Sequence, residues 1–175
     1  MEKKHYIVGI GDVLWDCLPE GRKIGGAPAN FAYYMSQFGY DSLLVSAIGN
    51  DPLGEEIKEV LEEKSLDHFL AIPGQPTGTV NVQLDDRGIP TYEIVENVAY
   101  DFIPYTPQLD AIAGKCAVAC FGSMTQRNPV SRNTIRKFLE AMPQTDDTWK
   151  VFDINLRQDF YDKEIIAESL RLCNV

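Results

Sequence analysis

No apolar run in the sequence reaches the roughly 20 residues needed to cross a bilayer. The opening MEKKHYIVGIGD turns into a strand pattern too early for a signal peptide. Both absences predict a cytoplasmic protein. Positive charge is scarce: 16 Lys and Arg against 26 Asp and Glu give a net charge of −10. That balance excludes nucleic acid and an anionic membrane surface as main partners, although a local cationic site for an anionic ligand stays compatible with it. Histidine is limited to His5 and His68, which stand alone, so no histidine metal site is expected. The four cysteines, Cys17, Cys116, Cys120 and Cys173, lack zinc-finger spacing. Cys116 and Cys120 read as same-face residues of one strand about 13 Å apart, too far to bond. All four are expected as buried, reduced thiols.

What is present is a normal globular balance, 45% hydrophobic and 24% charged, in a chain long enough for one domain with a proper core. Apolar runs alternate with helical patterns. YIVGIG (6–11), SLLVSAIG (42–49), HFLAI, AVACFG and KVFDIN read as strands. Helices are predicted over 28–38, after Asp51-Pro52, from Asn128-Pro129 to about Met142, and near 162–172. In the first of these, Phe31, Tyr34, Met35 and Phe38 recur at helical spacing and are the expected core face. This alternation predicts a parallel sheet covered on both faces. Two stretches break the rhythm. DVLWDCLPEGRKIGG is too short and turn-rich for a helix. GTVNVQLDDRGIPTYEIV alternates as a β-hairpin, with a turn signal over 85–88.

Ligands of such sheets bind beyond the carboxyl ends of the strands. Those ends carry Gly11-Asp12, Gly49-Asn50-Asp51, Gly122-Ser123 and Asp153-Ile154-Asn155-Leu156-Arg157. GIGD is not a dinucleotide fingerprint, because Leu14 stands where a third glycine is required and no helix follows. A rim carboxylate at Asp12 suits a neutral polyol, whose hydroxyls can donate to it. In GGAPAN, the bare backbone of Gly25-Gly26-Ala27 admits a close ligand, and Asn30 offers both a donor and an acceptor in a helix's first turn. A helix N-terminus packed tightly on a neighbour, with Asn30 satisfying backbone, is the competing reading.

GGAPANFAYYMSQFGYDSLLVSAIGNDPLG resembles the first signature of the ribokinase-like (PfkB) carbohydrate kinases, with paired glycines, a following asparagine and GND beyond the next strand. GIGDVLWDCLPEG, TGTVNVQLDDRG, ENVAYDFI and FDINLR are most similar to fructokinase-type members, and the likeness runs from about residue 6 to the end. The resemblance implies an α/β fold, a Rossmann-type parallel sheet with a small β-sheet lid formed by 13–24 and 78–100. It implies ATP-dependent phosphorylation of a sugar, fructose or a related ketose, with ATP and Mg as cofactors of the complete enzyme. Asp12, Gly25, Gly26, Ala27, Asn30 and Asn155 would bind the sugar, with the lid residues Asn81 and Gln83 sharing one face. Tyr100 and Asp101 are further candidates, a hinge role being the alternative. Arg157 would stabilise phosphate or developing negative charge, or else form a salt bridge with Asp159.

The GxGD motif that opens a helix and supplies the family's base is not found in that context, nor is its metal-associated Asn-x-x-Glu element. The expectation is therefore an N-terminal, sugar-binding part of a single kinase domain, residues 1–175. Its catalytic base would lie in a missing C-terminal segment, and this chain alone would be inactive. Two rival readings stay open: a kinase acting on a nucleoside or sugar acid, and a non-catalytic sugar-binding or interaction half-domain. A homodimer through lid strands is compatible with each.

Overall fold

A computed structural model describes residues 5–84 and 90–175. Along the chain run β1 (Tyr6–Ile10), β2 (Leu14–Leu18), β3 (Gly21–Gly25), α1 (Ala27–Gln37), β4 (Ser42–Ala47), α2 (Pro52–Glu63), β5 (Asp67–Ala71), β6 (Gly78–Leu84) and β7 (Pro90–Ile94). They are followed by α3 (Pro107–Ala113), β8 (Cys116–Gly122), α4 (Pro129–Ala141), β9 (Trp149–Asp153) and α5 (Lys163–Leu172). Five strands form a parallel sheet in the order β5-β4-β1-β8-β9. Four others form a second sheet in the order β3-β2-β6-β7. The predicted hairpin turn over 85–88 lies outside the described residues.

The parallel sheet is buried along its middle: all six residues of β4 are buried, as a strand covered on both sides requires, and its two serines, Ser42 and Ser46, donate to the Ala32 and Gly11 carbonyls. On one face Val8, Ile10, Val45 and Phe121 pack against Leu109 of α3 and Ile135, Phe138 and Leu139 of α4. On the other, Leu44 and Ile48 meet Ala29 and Ala32 of α1 and Ile57 and Leu61 of α2. Local chemistry sets the helix starts. Pro opens α1, α2, α3 and α4, where its missing N–H costs nothing. Asp51, Thr106, Asn128 and Asp162 cap α2, α3, α4 and α5 through their side chains. The seven-residue α3 carries too short a pattern to be read from sequence.

The expected core face of α1 is wrong. Its buried residues are Pro28, Ala29 and Ala32, while Tyr34 is 58% and Phe38 73% exposed. The reason is Gly9 on β1: a Cβ there would stand 2.1 Å from the Pro28 carbonyl oxygen. Helix and strand touch through backbone, so only small side chains fit between them. The cysteine reading also needs correction. Cys17 and Cys173 are half-buried, and all four thiols are free. A register irregularity in the β1–β8 pairing follows Cys116, which joins Ala119 and Phe121 in one core, so Cys120 does not share its face. Burial pushes the Cys116 and Cys120 thiols up to about 12, leaving them inert.

The turn-rich stretch after Asp12 is the β2–β3 hairpin, and it is fastened to the body. Trp15 sits in the α1/α2 core and donates from Nε1 to the Leu53 carbonyl at 2.9 Å. On the opposite edge of the same sheet, Gln158 donates to the Tyr92 carbonyl at 2.9 Å. The second sheet thus stands over the carboxyl ends of β1 and β8.

Candidate functional site

Between the second sheet and those strand ends lies a cavity of about 490 Å³. Asp12, Gly26, Ala27, Asn30, Asn155 and Arg157 line it, which brings together six of the residues singled out in the sequence. Asp12 follows β1 and is buried. Its Oδ1 accepts from the Thr125 hydroxyl at 2.8 Å, and the Ala27 N–H points at the same carboxylate. Burial raises the Asp12 carboxyl above its ordinary range, and these donors offset only part of that cost. Asn30 is exposed in the first turn of α1, its own N–H bound to the Gly26 carbonyl at 2.9 Å. Among the described residues its side-chain amide has no partner. The backbone-satisfying role considered for it is not what the structure shows.

The paired glycines also make room within the protein itself. Gly26 is the N-cap of α1 at φ 113, and a Cβ there would lie 2.3 Å from the Asp12 carbonyl oxygen. A Cβ on Gly25 would meet Asp16 Oδ2 at 2.5 Å. Each glycine makes room for an aspartate of the protein itself. Gly25 is buried and does not line the cavity.

Arg157 forms no ion pair with Asp159 among the described residues. Its Nε donates to Asn155 Oδ1 at 2.8 Å. Burial raises the Asp16 carboxyl above its ordinary range, and the charge of Arg157 offsets only part of that rise. Asn155 is held in turn by Ser123, which donates to its carbonyl at 2.9 Å.

The lid assignments also change. Asn81 pairs with Glu93 in register, and its amide donates to Glu93 Oε2 at 3.3 Å on the side away from the cavity. Val80 and Ile94, the neighbouring pair on these strands, are the ones that line the cavity. The alternation had fixed that Asn81 and Gln83 share a face without saying which face. The Gln83 side chain lies outside the described residues.

Tyr100 and Asp101 do not line this cavity either. They sit buried in a 3₁₀ turn, Ala99–Phe102, and meet Arg127. Arg127 donates from Nε and Nη2 to the two Asp101 oxygens at 2.8 and 2.9 Å, and from Nη2 to the Val95 carbonyl at 2.7 Å. It also lies over the rings of Tyr100 and Phe160, at 5.2 and 4.4 Å. This cluster ties the end of β7 to the body.

Sequence reading missed Asp16 and Lys23 on the second sheet, and Met124 and Thr125 on the 3₁₀ turn Met124–Arg127. Asp16 carried one usable signal, a charged residue inside an otherwise apolar strand. Thr125 carried none, since its role exists only because β8 ends beside β1.

The arrangement offers acceptors in Asp12 and Asp16, both donor and acceptor in Asn30 and Asn155, and two cations, Lys23 and Arg157, that balance the carboxylates. Such a set complements a neutral, many-hydroxyl ligand. Among the described residues no group of three or more His, Cys, Asp or Glu could hold a metal ion. The residues present fit a polyol; they do not by themselves make a nucleotide–metal site. Among the described residues no helix is long and apolar enough to cross a membrane.

Residues 20–175 match the model of the pfkB family carbohydrate kinases. A putative sugar kinase of Pyrococcus horikoshii is 32% identical over 189 residues, covering 97% of this chain and 60% of that protein. The fructokinase of Salmonella typhimurium is 30% identical, with 95% and 57% covered. Among solved structures, a fructokinase of Vibrio cholerae O395 with bound fructose, ADP and calcium ion superposes at a TM-score of 0.72 with 25% identity, covering 99% of this chain and 59% of that one. The fructokinase of Xylella fastidiosa with bound ATP shares the fold at a TM-score of 0.81 and 17% identity. This chain thus spans somewhat under two thirds of the length of these relatives. The family match and the covering relatives make it a member of the pfkB family of carbohydrate kinases.

Proposed function

We propose that this chain forms the sugar-binding part of an ATP-dependent kinase acting on fructose or a related ketose. The observation that carries the reading is the convergence of Asp12, Gly26 and Asn30 beneath the second sheet, in one cavity of about 490 Å³. Asp12 accepts from sugar hydroxyls at the floor, with Thr125 and the Ala27 N–H fixing the carboxylate's orientation. Asn30 and Asn155 read neighbouring hydroxyls, and Arg157 stands at the mouth, where negative charge would develop during transfer. The second sheet acts as the lid, shielding the acceptor hydroxyl from water. Fructokinase relatives, one of them with fructose bound, support the ketose as substrate. ATP and Mg would supply the transferred phosphoryl group and its charge neutralisation; the residues described here bind and orient the acceptor.

Titration calorimetry with D-fructose, other ketoses and matched sugar acids tests the reading. Fructose binding that Asn30→Ala weakens about tenfold or more is the expected result. Preference for a sugar acid would move the assignment to that substrate class, and absence of any sugar binding would overturn it.

A further inference from the structure

We propose that the cavity between the N-termini of α4 and α5 is a second ligand site, apart from the sugar cavity, and takes a small zwitterion of the amino-acid class. The cavity holds about 410 Å³ and shares no lining residue with the first one. Asn128 and Asp162, the caps of the two helices, both border it. Two arginines line it as well. Arg127 is only 7% exposed, and its Nε and Nη2 are spent on Asp101, Val95 and Tyr100. Its Nη1 is buried and has no hydrogen-bond partner among the described residues. Arg132, in the first turn of α4, likewise keeps a buried and unpartnered Nε, and it forms no ion pair among the described residues. A buried donor left unbonded costs stability. Two guanidinium groups with such donors on one cavity call for an acceptor from outside the chain.

Four carboxylates line the same cavity, and two of them are already used. Asp101 is cancelled by Arg127, and Asp162 accepts from the Ile165 N–H at 2.7 Å. Glu96 and Asp159 are exposed and form no ion pair among the described residues. The cavity thus has cationic donors buried within it and anionic acceptors at its exposed rim. A plain oxyanion would satisfy the first and be repelled by the second; a plain cation would do the reverse. A carboxylate placed inward with an ammonium group reaching outward satisfies both. Phe160 and Ile165, also in the lining, offer apolar surface to a methylene chain joining the two groups. L-lysine has each of these parts.

Titration calorimetry of the 175-residue chain with L-lysine tests this, with inorganic phosphate as the anion-only probe and diaminobutane as the cation-only probe. Saturable L-lysine binding is expected, with each of the other two at least about tenfold weaker. Arg132→Gln should weaken L-lysine about tenfold or more, the worth of a hydrogen bond to a charged group. Glu96→Gln should weaken it about two- to fivefold, as loss of an exposed charge pair does. The Arg132 side chain bonds to nothing among the described residues, so its variant should keep the wild-type urea midpoint. Asn30→Ala, in the other cavity, should leave L-lysine binding unchanged. Loss of L-lysine binding in Asn30→Ala puts the ligand in the sugar cavity and overturns the proposal. Unchanged affinity in Arg132→Gln overturns it too. Phosphate bound as tightly as L-lysine makes the site a plain oxyanion pocket and overturns the zwitterion. Absence of saturable L-lysine binding leaves the buried donors to water and overturns the site itself.

Discussion

Asp12 and Asp101 are both buried aspartates, 2% and 1% exposed, and one 3₁₀ turn, Met124–Arg127, serves both. Thr125 reaches Asp12 and Arg127 reaches Asp101. Asp101 receives a bidentate guanidinium that is itself only 7% exposed, so the charge is cancelled inside the protein. Asp12 receives a hydroxyl and a backbone N–H and no cation, and it borders a cavity. Burial alone therefore does not mark a site. A buried carboxylate that is fully paired holds structure together; one left under-compensated beside open space, as Asp12 is, is the candidate for a ligand contact.

That contrast can be broken at either end. Arg127→Met should have the largest effect, about 3–5 kcal/mol of stability lost in urea unfolding, because Asp101 is left charged and buried without its partner. A loss below about 1 kcal/mol would show that the Arg127–Asp101 pair is not what fastens the end of β7. Gly26→Ala comes next, at about 2–4 kcal/mol, since its Cβ meets backbone and its φ of 113 is hostile to any side chain. Asp12→Asn should act in the opposite direction and stabilise the chain at neutral pH.

The sign follows from the raised carboxyl. The folded state binds a proton more readily than the unfolded one. The contribution of Asp12 is thus fully present below its ordinary value of 3.8 and is lost as pH rises through the higher folded value. Unfolding midpoints compared across that window should converge at low pH and favour Asp12→Asn at pH 7. If the two proteins keep one constant difference throughout, Asp12 is not the titrating group. The smallest effect belongs to Gly25→Ala, below about 1 kcal/mol, because its Cβ meets the movable end of Asp16. Its measurable consequence should be weaker sugar binding rather than a lower midpoint.

Much of the fold was legible in the chain. The buried strands announced themselves as apolar runs, and Asp51, Asn128 and the prolines after them marked helix starts by local chemistry. Asp12 and Arg157 were legible as rim residues because strand ends in a parallel sheet collect polar side chains on one side, and Asn30 was legible from the bare backbone that leads into its helix. The face of α1 was not. Periodicity picked Phe31, Tyr34, Met35 and Phe38, while a glycine twenty-odd residues earlier dictated that only Pro28, Ala29 and Ala32 could fit against β1. The side of β6 turned to the cavity was equally hidden, since alternation gives two faces and no direction.

The sequence by itself determined the elements, their parallel stacking and the polar rim, because these follow from period, propensity and capping within a few neighbouring residues. Only the tertiary structure decided that Gly25 and Gly26 yield space to Asp16 and Asp12, that Thr125 steadies one aspartate, and that Arg127 neutralises another. Asp12 and Thr125 are 113 residues apart in the chain and 2.8 Å apart in space. No local rule reaches across that separation; strand order alone brings the two side chains together.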